Sequence, residues 1–476
     1  MKPTVLAAIA CVSLFSAVSH AADPPKPNIV LVLADDMGHG HVSCLNPRSK
    51  VSTPNTDRLA REGITLTDAH SGSAVCSPTR YGLLTGRYAW RTRLVRGVLG
   101  PYDPPLIEKD RLTLPELLRR RGYHTACVGK WHLGWDWPRE GKGDPDFTQP
   151  IAGGPTTRGF DAYFGTDVPN YPPYCFLEND CTIGDPTSRK TEQNLDGRPG
   201  PMLPGWKFDE ILPQLAERAA AYISERSKAK QPFFLYFPLT SPHEPIAPSK
   251  PFRGKSGLNG LADFLLETDA VVGRVLEAID AVGAAGNTLV IFTADNGSSM
   301  YTGGEELRRK GHEPSAEFRG FKASIYEGGH RVPFFARWPG KIAPGSSSQE
   351  TICLTDMVAT AAAIVGTTLP DDAGEDSYNV LPVLLGQERK GPVREATVHQ
   401  SASGQLAIRQ GSWKLILPPA VQNAGAGRRN EPATAELYNL SEDVAETKNV
   451  YSEQPEVVGR LTELLEQYRR TGRSRP

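Results

Sequence analysis

Apolar runs alternate with amphipathic segments along most of the chain, and this alternation predicts an α/β fold. Four runs of aliphatic, β-branched and aromatic residues are continuous enough to be strands covered on both faces, at residues 28–34, 123–128, 232–239 and 288–294. Helical periodicity bounded by glycine or proline predicts helices at residues 54–62, 114–121, 212–227 and 261–282. Because helices and strands take turns, we expect a large doubly wound, mostly parallel sheet flanked by helices.

A polar, turn-rich stretch at residues 371–379 interrupts this pattern. Beyond it, residues 406–409 and 413–417 predict a hairpin, and residues 455–470 predict a terminal helix. We therefore expect a smaller C-terminal α+β subdomain that carries a short antiparallel sheet. The predicted parts of the chain are a signal peptide at residues 1–22, a larger α/β domain at residues 23–370 and this subdomain at residues 371–476.

The first 22 residues have the pattern of a secretory signal peptide. Lys2 precedes an apolar run over residues 5–18, and small residues follow up to a cleavage point near Ala22. The run is shorter than the roughly 20 residues that cross a bilayer, and Asp23 ends it. The sequence therefore predicts an exported protein, secreted or periplasmic, with no transmembrane segment after cleavage.

Composition and charge exclude several classes of function. Apolar residues make up 39% of the chain and charged residues 22%, which is ordinary for a globular protein and not for a disordered or fibrous one. Lys and Arg number 53 against 54 Asp and Glu, so the net charge of -1 does not draw the chain to nucleic acid or to an anionic membrane. Any site for an anion must therefore be local.

Export would permit disulfide bonds between the cysteines of the mature chain. Cys175 and Cys181 flank a short loop, and we predict that they pair. The remaining cysteines are too scattered along the chain to be paired from the sequence.

Charged, amide and imidazole groups follow all four predicted strands directly. In open α/β sheets, ligands bind outside the carboxyl ends of the strands, so these groups predict one composite site. They are Asp35 and Asp36 after the first strand, Lys130 and His132 after the second, His243 after the third, and Asp295 and Asn296 after the fourth.

The stretch Cys76-Ser77-Pro78-Thr79-Arg80 is the most informative motif. Ser77 can cap a helix and Pro78 suits its first turn, so Cys76 is predicted at a helix N-terminus, where free N–H groups favour anions. Arg80 lies four residues on and shares the face of Cys76. Considered alone, Cys76 would be interpreted as a buried structural cysteine or as half of a disulfide.

Together with Leu83-Leu84-Thr85-Gly86-Arg87, this motif resembles the signature of the type I sulfatase family, Cys-x-Pro-x-Arg followed by a Leu-Thr-Gly-Arg-like run. The resemblance extends in order over roughly residues 28 to 340. It implies an alkaline-phosphatase-like α/β fold and an arylsulfatase-like hydrolase of sulfate esters. The further matching elements are Gly129-Lys130-Trp131-His132, Pro242-His243, Asp295-Asn296-Gly297, and Lys322 within residues 320–333.

The resemblance also implies a cofactor and a modification. Asp35, Asp36, Asp295 and Asn296 offer hard oxygen ligands, which Ca²⁺ or Mg²⁺ takes, and we expect one Ca²⁺ in preference to Mg²⁺. A thiolate is a soft ligand that such an ion avoids. In the family, the signature cysteine is converted to formylglycine by a formylglycine-generating enzyme, so this conversion is implied for Cys76, with residue 76 as a further metal ligand.

The roles implied by the resemblance cover nucleophile, cations and proton transfer. One hydroxyl of the hydrated formylglycine attacks sulfur, and Asp295 helps to remove its proton. Lys130 and Lys322 bind the sulfate oxygens, while Arg80 holds the hydrate. His243 is the candidate acid for the leaving oxygen. His132 assists loss of the second hydroxyl proton, which releases sulfate and restores the aldehyde.

We predict a sulfated carbohydrate or an aryl sulfate as substrate, because sugars stack on aromatic rings and polyanions favour cations. Aromatic and charged residues expected near the site are Trp90, Arg91, Arg93, Trp135, Asp136 and Trp137. Two other functions stay open, a phosphodiester or phosphonate monoester hydrolase with the same residues and a non-catalytic glycan-binding protein.

Two local alternatives concern single motifs. His39, His41 and Cys44 have the residue types of a zinc site, although a loop beside the cleft is favoured because no fourth ligand is near. Asn296-Gly297-Ser298 spells a glycosylation sequon, but such acceptors lie on exposed loops, so Asn296 is interpreted as a metal ligand.

Overall fold

The computed structural model describes residues 26–419, 432 and 434–476, and the predicted signal peptide lies outside these ranges. Within them, the strands are β1 (Asn28–Ala34), β2 (Ile64–Leu66), β3 (Ala69–His70), β4 (His124–Lys130), β5 (Ala162–Thr166), β6 (Leu177–Glu178), β7 (Cys181–Thr182), β8 (Ser188–Lys190), β9 (Gly200–Met202), β10 (Phe233–Pro238), β11 (Thr288–Ala294), β12 (Phe334–Arg337), β13 (Ser346–Ser348), β14 (Ile352–Cys353), β15 (Thr397–Gln400), β16 (Leu406–Gln410), β17 (Trp413–Ile416) and β18 (Glu436–Asn439). The α-helices are α1 (Pro54–Glu62), α2 (Cys76–Thr85), α3 (Leu114–Arg120), α4 (Ile211–Arg226), α5 (Gly260–Ala281), α6 (Glu305–Arg309), α7 (Glu327–His330), α8 (Met357–Ile364), α9 (Leu381–Leu384) and α10 (Pro455–Thr471).

Five parallel strands form the middle of a ten-stranded sheet, in the order β11-β1-β10-β4-β5. The four runs predicted as strands are β1, β4, β10 and β11, and they are neighbours in the sheet in the order β11-β1-β10-β4. Antiparallel strands extend both sides, with β12 beside β11 and β6 beside β5. The carboxyl ends of the predicted strands therefore meet at one edge of the sheet.

Successive side chains of β1 face opposite sides of the sheet, as the period of a strand requires. Ile29, Leu31 and Leu33 belong to the apolar cluster that includes residues of α3 and α8. Val30 and Val32 belong to a second cluster that includes residues of α4 and α5. The predicted doubly wound, mostly parallel sheet with flanking helices is thus confirmed.

Strands β15 to β18 form a separate antiparallel sheet, and α10 packs on it through Leu461 and Leu465. The expected C-terminal antiparallel sheet, with its hairpin and terminal helix, is therefore confirmed. The domain boundary near residue 371 stays a prediction. No helix in the described ranges is both long and apolar enough to cross a membrane.

Backbone hydrogen bonds join this C-terminal sheet to the segment that leads into α2. The Ala74 N–H donates to the Gln400 carbonyl at 2.8 Å, and the Gln400 N–H donates to the Gly72 carbonyl at 3.2 Å. The Ala323 N–H in turn donates to the Ala74 carbonyl, and the Ala402 N–H donates to the Ala323 carbonyl. Three distant parts of the chain are thereby fixed against one another beside residue 76.

The predicted disulfide between Cys175 and Cys181 is wrong, because both thiols are free. Cys175 is buried in the apolar cluster that contains Leu177, whereas Cys181 is exposed and lies opposite Glu178 in the pairing of β6 with β7. One thiol therefore faces the core and the other faces solvent. Spacing along the chain did not reveal this difference in burial.

Candidate active site

Four carboxylate and amide side chains converge at the carboxyl ends of β1 and β11. Asp35 and Asp36 follow β1, Asp295 and Asn296 follow β11, and all four residues are buried. The Asp36 N–H donates to Asp295 Oδ1 at 3.1 Å, and Asn296 Nδ2 donates to Asp36 Oδ1 at 2.7 Å. The parallel pairing of the two strands therefore brings together residues 260 positions apart.

This cluster has the donors that a hard cation requires. Asn296 Oδ1 is buried without a hydrogen-bond partner, and such an acceptor is costly unless an ion or ligand satisfies it. Asp35, Asp36, Cys76 and His243 each offer a ligand atom, and these atoms lie within 4.8 Å of one another. Carboxylate and amide oxygens suit Ca²⁺ or Mg²⁺, whereas a thiol at position 76 does not.

Cys76 begins helix α2 and lies against the same carboxylates. Val75 is the N-cap residue, so the prediction that Ser77 caps this helix is wrong; the Ser77 hydroxyl instead accepts from the Leu99 N–H at 3.2 Å. Cys76 Sγ lies 3.6 Å from Asp35 Oδ1 and is almost fully buried. Burial raises the pKa of this thiol well above its ordinary value, so an unmodified Cys76 is a neutral, poor nucleophile.

Three cationic side chains surround residue 76. Arg80 donates through Nε and Nη2 to Asp295 Oδ2, at 3.0 Å and 2.8 Å. Lys130 Nζ donates to Asp35 Oδ2 at 2.7 Å, and Lys322 Nζ donates to Asp36 Oδ2 at 2.6 Å. Cations and carboxylates thus alternate around the thiol.

Charge pairing keeps both members of the Lys130–Asp35 pair ionised. Burial would lower the pKa of Lys130, but Asp35, Cys76 and Asp295 together outweigh burial and the pKa lies above its ordinary value. Burial would likewise raise the pKa of Asp35, but Lys130 and its other basic neighbours hold it below its ordinary value. The site therefore presents fixed positive charge to an incoming anion.

The two imidazoles are held in defined tautomers by backbone carbonyls. His132 donates through Nε2 to the Leu99 carbonyl at 3.0 Å, which leaves its buried Nδ1 without a partner. Burial, assisted by Lys130, holds the pKa of His132 well below its ordinary value, so Nδ1 is a free proton acceptor. His243 donates through Nδ1 to the Glu244 carbonyl at 2.6 Å, so its Nε2 is the atom that lies 3.9 Å from Asp36 Oδ2.

Residues 27–367 match the family model described as Sulfatase, and residues 317–471 match the model described as N-sulphoglucosamine sulphohydrolase, C-terminal. This chain belongs to the sulfatase family. The family predicted from the motifs around Cys76 is thereby confirmed. Membership makes the protein a sulfuric ester hydrolase, and the cluster at the sheet edge is the candidate site for that reaction.

Relatives of this sulfatase are similar over nearly their whole length. An N-acetylgalactosamine-6-O-sulfatase of Bacteroides thetaiotaomicron is 36% identical, covering 93% of each chain. The human arylsulfatase A is 33% identical over 92% of this chain and 87% of its own. A solved structure described for the metabolism of multiple glycosaminoglycans by Bacteroides thetaiotaomicron has 33% identity and a TM-score of 0.83, covering 93% of this chain and 99% of its own.

The structure of the sulfatase gathers all ten predicted site residues around one point, although their roles stay predictions. Asp35, Asp36, Asp295, Asn296, Cys76, Arg80, Lys130, Lys322 and His243 are joined by the contacts described above, and His132 lines the cleft that opens over Cys76. This cleft has a volume of about 390 Å³.

Several residues expected near the cleft of the sulfatase are packing residues instead. Trp135 and Trp137 are buried in the core, and Trp90 stacks on Tyr88. Arg91 binds the Asp376 carboxylate through Nε and Nη2. None of the six residues Trp90, Arg91, Arg93, Trp135, Asp136 and Trp137 lines the cleft.

The walls of the cleft come from residues that sequence reasoning missed, namely Asn170, Tyr171, Arg198 and Glu244. The first three lie in irregular structure between β5 and α4, where no periodicity marks them. Only Glu244 had a signal in the sequence, because it follows His243 directly.

The alternative zinc site is not formed. His41 Nδ1 lies 2.9 Å from His312 Nε2, and His41 Nε2 lies 2.8 Å from Ser298 Oγ. Cys44 is exposed, and its backbone N–H donates to Asp57 Oδ1 at 3.1 Å. Across the described residues, the groups that could hold a metal do not include these side chains.

A second buried cluster contains His70, His330 and His399. Lys414 Nζ lies 3.1 Å from His330 Nε2, and Arg409 Nη1 lies 3.0 Å from His70 Nε2. Lys414 is also paired with Glu327, and Arg409 with Asp68, so basic side chains already occupy these ring nitrogens and balance the nearby carboxylates. We therefore assign this cluster to the junction with the C-terminal sheet rather than to catalysis.

Asp167 holds the turn that carries His132. Its Oδ1 accepts from the His132 N–H and from Trp135 Nε1, both at 3.1 Å. Burial raises the pKa of Asp167 to about 6, from an ordinary value of 3.8, and the two hydrogen bonds only partly oppose this. The folded chain therefore binds a proton at Asp167 more tightly than the unfolded chain does.

We expect Asp167→Asn to remove a pH dependence of stability. A carboxyl with a raised pKa makes its full contribution to the free energy of unfolding below pH 4, and this contribution is lost as the pH rises to about 6. The free energy of unfolding of the parent should therefore fall over this interval relative to that of the variant. The amide of the variant keeps Oδ1 as an acceptor. Between pH 4 and pH 7, we expect the free energy of unfolding of the parent to fall by about 1 to 3 kcal/mol relative to that of the variant.

Denaturant unfolding of both proteins at pH 4, 5, 6 and 7 measures this difference. The exposed Asp185→Asn is the matched control, and its difference from the parent should not vary between pH 4 and pH 7. Parallel stability curves for the parent and Asp167→Asn would contradict the raised pKa.

Proposed function

We propose that this sulfatase is exported and removes 6-O-sulfate esters from glycans that contain N-acetylgalactosamine. It would act through a formylglycine formed at Cys76 by a formylglycine-generating enzyme, with one bound Ca²⁺ in preference to Mg²⁺. The carrying observation is the convergence of Asp35, Asp36, Lys130 and Lys322 on Cys76 at the sheet edge. The 36% identical relative named N-acetylgalactosamine-6-O-sulfatase supports the choice of sugar and sulfate position.

The chemistry of its surroundings supports modification of Cys76. The raised pKa of the thiol and the hard oxygen ligands beside it make the unmodified side chain unsuited both to attack sulfur and to bind Ca²⁺. A hydrated aldehyde supplies an oxygen nucleophile and a second hydroxyl whose deprotonation can release the bound sulfate. The same position therefore serves both halves of the reaction.

The cation would be held by Asp35, Asp36, Asp295, Asn296 and residue 76. It supplies the positive charge that lowers the pKa of a neighbouring hydroxyl and offsets charge on the sulfate. The unpartnered Asn296 Oδ1 is the observation on this chain that favours such an ion.

Lys130 and Lys322 bind the equatorial oxygens of the sulfate group in this proposal. Each lysine donates one hydrogen bond to a carboxylate that the cation would share. Because an ammonium group has three hydrogens, the others remain for a bound anion. Arg80 keeps Asp295 in place through two hydrogen bonds and adds a third cation below residue 76. Fixed donors of this kind stabilise developing charge without reorganising during the reaction.

Proton transfer falls to the two imidazoles and Asp295. Asp295 takes the proton of the attacking hydroxyl. His243 acts as an imidazolium: its Nδ1–H stays on the Glu244 carbonyl, and its Nε2–H passes to the ester oxygen as the bond from that oxygen to sulfur breaks. His132 Nδ1, neutral and unpartnered, then accepts the proton of the second hydroxyl as the carbon–oxygen bond to sulfate breaks. The products are the free alcohol, free sulfate and the restored aldehyde.

A panel of esters tests this function. Purified enzyme is given N-acetylgalactosamine 6-sulfate, the 4-sulfate, an aryl sulfate, an aryl phosphonate monoester and a phosphodiester, and released anion is measured. We expect the highest kcat/KM on the 6-sulfate, because the 36% identical relative is named for this sugar and this sulfate position. Faster turnover of the phosphonate or diester would support the phosphoryl alternative, and binding of sulfated sugar without turnover would support a non-catalytic protein.

A further inference from the structure

Arg198 lies in the cleft over Cys76. Its Nη2 donates to the Tyr171 hydroxyl at 2.9 Å, and its guanidinium lies over the Tyr171 ring, 4.1 Å from the centroid. Within the described ranges no Asp or Glu oxygen comes within 4.0 Å of this guanidinium. By contrast, Arg80 and Arg409 are both paired with buried carboxylates.

The backbone around Arg198 is fixed, so its side chain is presented to the cleft from a defined position. The Arg198 N–H donates to the Asn170 carbonyl at 3.2 Å, and the Tyr174 hydroxyl donates to the Arg198 carbonyl at 2.6 Å. Gly197 has a φ of 142°, and a Cβ there would lie 2.2 Å from the Tyr174 hydroxyl. The turn before Arg198 therefore packs directly on Tyr174, and only glycine fits at its last position.

Arg198 is connected to the reacting centre through Tyr171. The Tyr171 ring meets the His132 ring edge to face, with centroids 5.7 Å apart. Arg198, Tyr171, His132, Lys322 and Cys76 all line the same cleft, whose volume is in the range of ligand pockets. One substrate molecule in this cleft could thus contact Arg198 while its sulfate lies over residue 76.

The charges of the cleft distinguish Arg198 from the two lysines. Lys130 and Lys322 already contact Asp35 and Asp36, whereas among the described residues the contact of the Arg198 guanidinium is with the neutral Tyr171 phenol. A planar guanidinium binds carboxylate or sulfate oxygens through two parallel hydrogen bonds. Because the flat face of the Arg198 guanidinium lies on the Tyr171 ring, N–H groups at its edge can donate to an anion.

We propose that Arg198 binds a second anionic group of the substrate while the reacting sulfate lies at residue 76. The group is the carboxylate of a neighbouring uronic acid or a second sulfate ester on the glycan. This inference rests on the proposed function, and it makes the enzyme selective for polyanionic glycans over singly sulfated sugars.

Steady-state kinetics of Arg198→Gln and Arg198→Lys test this role. The substrates are N-acetylgalactosamine 6-sulfate, its 4,6-disulfate, a disaccharide that joins the 6-sulfated sugar to a uronic acid, and the carboxyl methyl ester of that disaccharide. For the parent, we expect one dianionic substrate to exceed its singly charged counterpart by about 10- to 100-fold in kcat/KM, mainly through KM. Arg198→Gln should abolish this preference, and Arg198→Lys should keep part of it because the charge remains.

The two dianionic substrates distinguish the two sources of the second charge. Loss of preference for the uronic acid disaccharide alone identifies the carboxylate, and loss for the disulfate alone identifies a sulfate. Arg189→Gln removes an exposed guanidinium on β8 and is the matched control, which should retain the preference of the parent. Equal losses on all four substrates in Arg198→Gln, or no preference in the parent, would overturn the inference.

A binding measurement separates this inference from the proposed function. Protein that keeps Cys76 as a thiol is titrated with the same disaccharide and its methyl ester by calorimetry, so that no turnover is needed. Tighter binding of the disaccharide than of the ester in the parent, lost in Arg198→Gln, supports the role of Arg198 even if no ester of the panel is hydrolysed. If the parent and Arg198→Gln each bind the disaccharide and its methyl ester equally, Arg198 does not bind a carboxylate. If they each bind the 4,6-disulfate and the 6-sulfate equally, Arg198 does not bind a second sulfate.

Discussion

Cys76→Ser should end multiple turnover, with a loss in kcat of about 10⁵- to 10⁶-fold, the size seen when a nucleophile is removed. A serine carries one hydroxyl, so it can accept sulfate from the substrate but has no second hydroxyl to expel it. Hydrolysis of the serine sulfate would instead require water to attack a crowded, anionic sulfur next to the Asp35 and Asp36 carboxylates. The variant is therefore expected to stop after one transfer.

Mass spectrometry of the peptide that contains residue 76 checks both states. The parent should carry the aldehyde, and Cys76→Ser incubated with substrate should carry one sulfate. Cys181→Ser, which alters an exposed thiol, is the matched control and should keep the parent rate. Sustained turnover by Cys76→Ser at a rate near that of the parent would exclude the formylglycine mechanism.

Removal of the cation should lower kcat/KM by about a thousandfold or more, because the ion contributes several kcal/mol to stabilising the transition state. Without it, the charges of Asp35, Asp36 and Asp295 are offset by Lys130, Lys322 and Arg80 alone. The buried Asn296 Oδ1 then has no partner among the described residues. Dialysis against a chelator followed by metal analysis gives the stoichiometry, which we expect to be one ion per chain.

Added Ca²⁺ should restore activity at lower concentration than Mg²⁺ and should raise the Tm, since an ion that binds only the folded chain stabilises it by mass action. Asn296→Leu removes one oxygen ligand without changing charge and should need more Ca²⁺ for the same recovery. The exposed Glu317→Gln is the control and should recover as the parent does. Full activity of a metal-free preparation would contradict the assignment of these side chains as ligands.

The centre of the fold was predictable because its strands are buried on both faces. The runs that became β1 and β11 have no polar residue facing solvent, so their apolar character marks their full length. Short strands such as β2, β12 and β13 were not predicted, because they owe their conformation to the neighbours they pair with. Sheet order was likewise invisible, although adjacency of the strand ends followed from the parallel topology.

The same reasoning explains which parts of the site were found. Asp35 and Asp295 directly follow predicted strands, and Cys76 lies in a compact motif, so position along the chain located them. Arg198 and Tyr171 lie in irregular structure, and their meeting depends on the path of a long connection. The burial of Cys175 also depends on tertiary packing, so chain spacing could not show that it lies apart from Cys181.

The hydrogen bonds between Gln400 and residues 72 and 74 join parts of the chain that are synthesised at different times. A ribosome makes residue 76 more than three hundred residues before it makes Gln400, so the strand that fastens this part of the fold arrives late. In the finished protein Cys76 is almost fully buried, so an enzyme that acts on its thiol would need the chain before this burial is complete. An enzyme that oxidises this thiol would therefore have its access while the chain is still emerging, and the last sheet to form would end that interval.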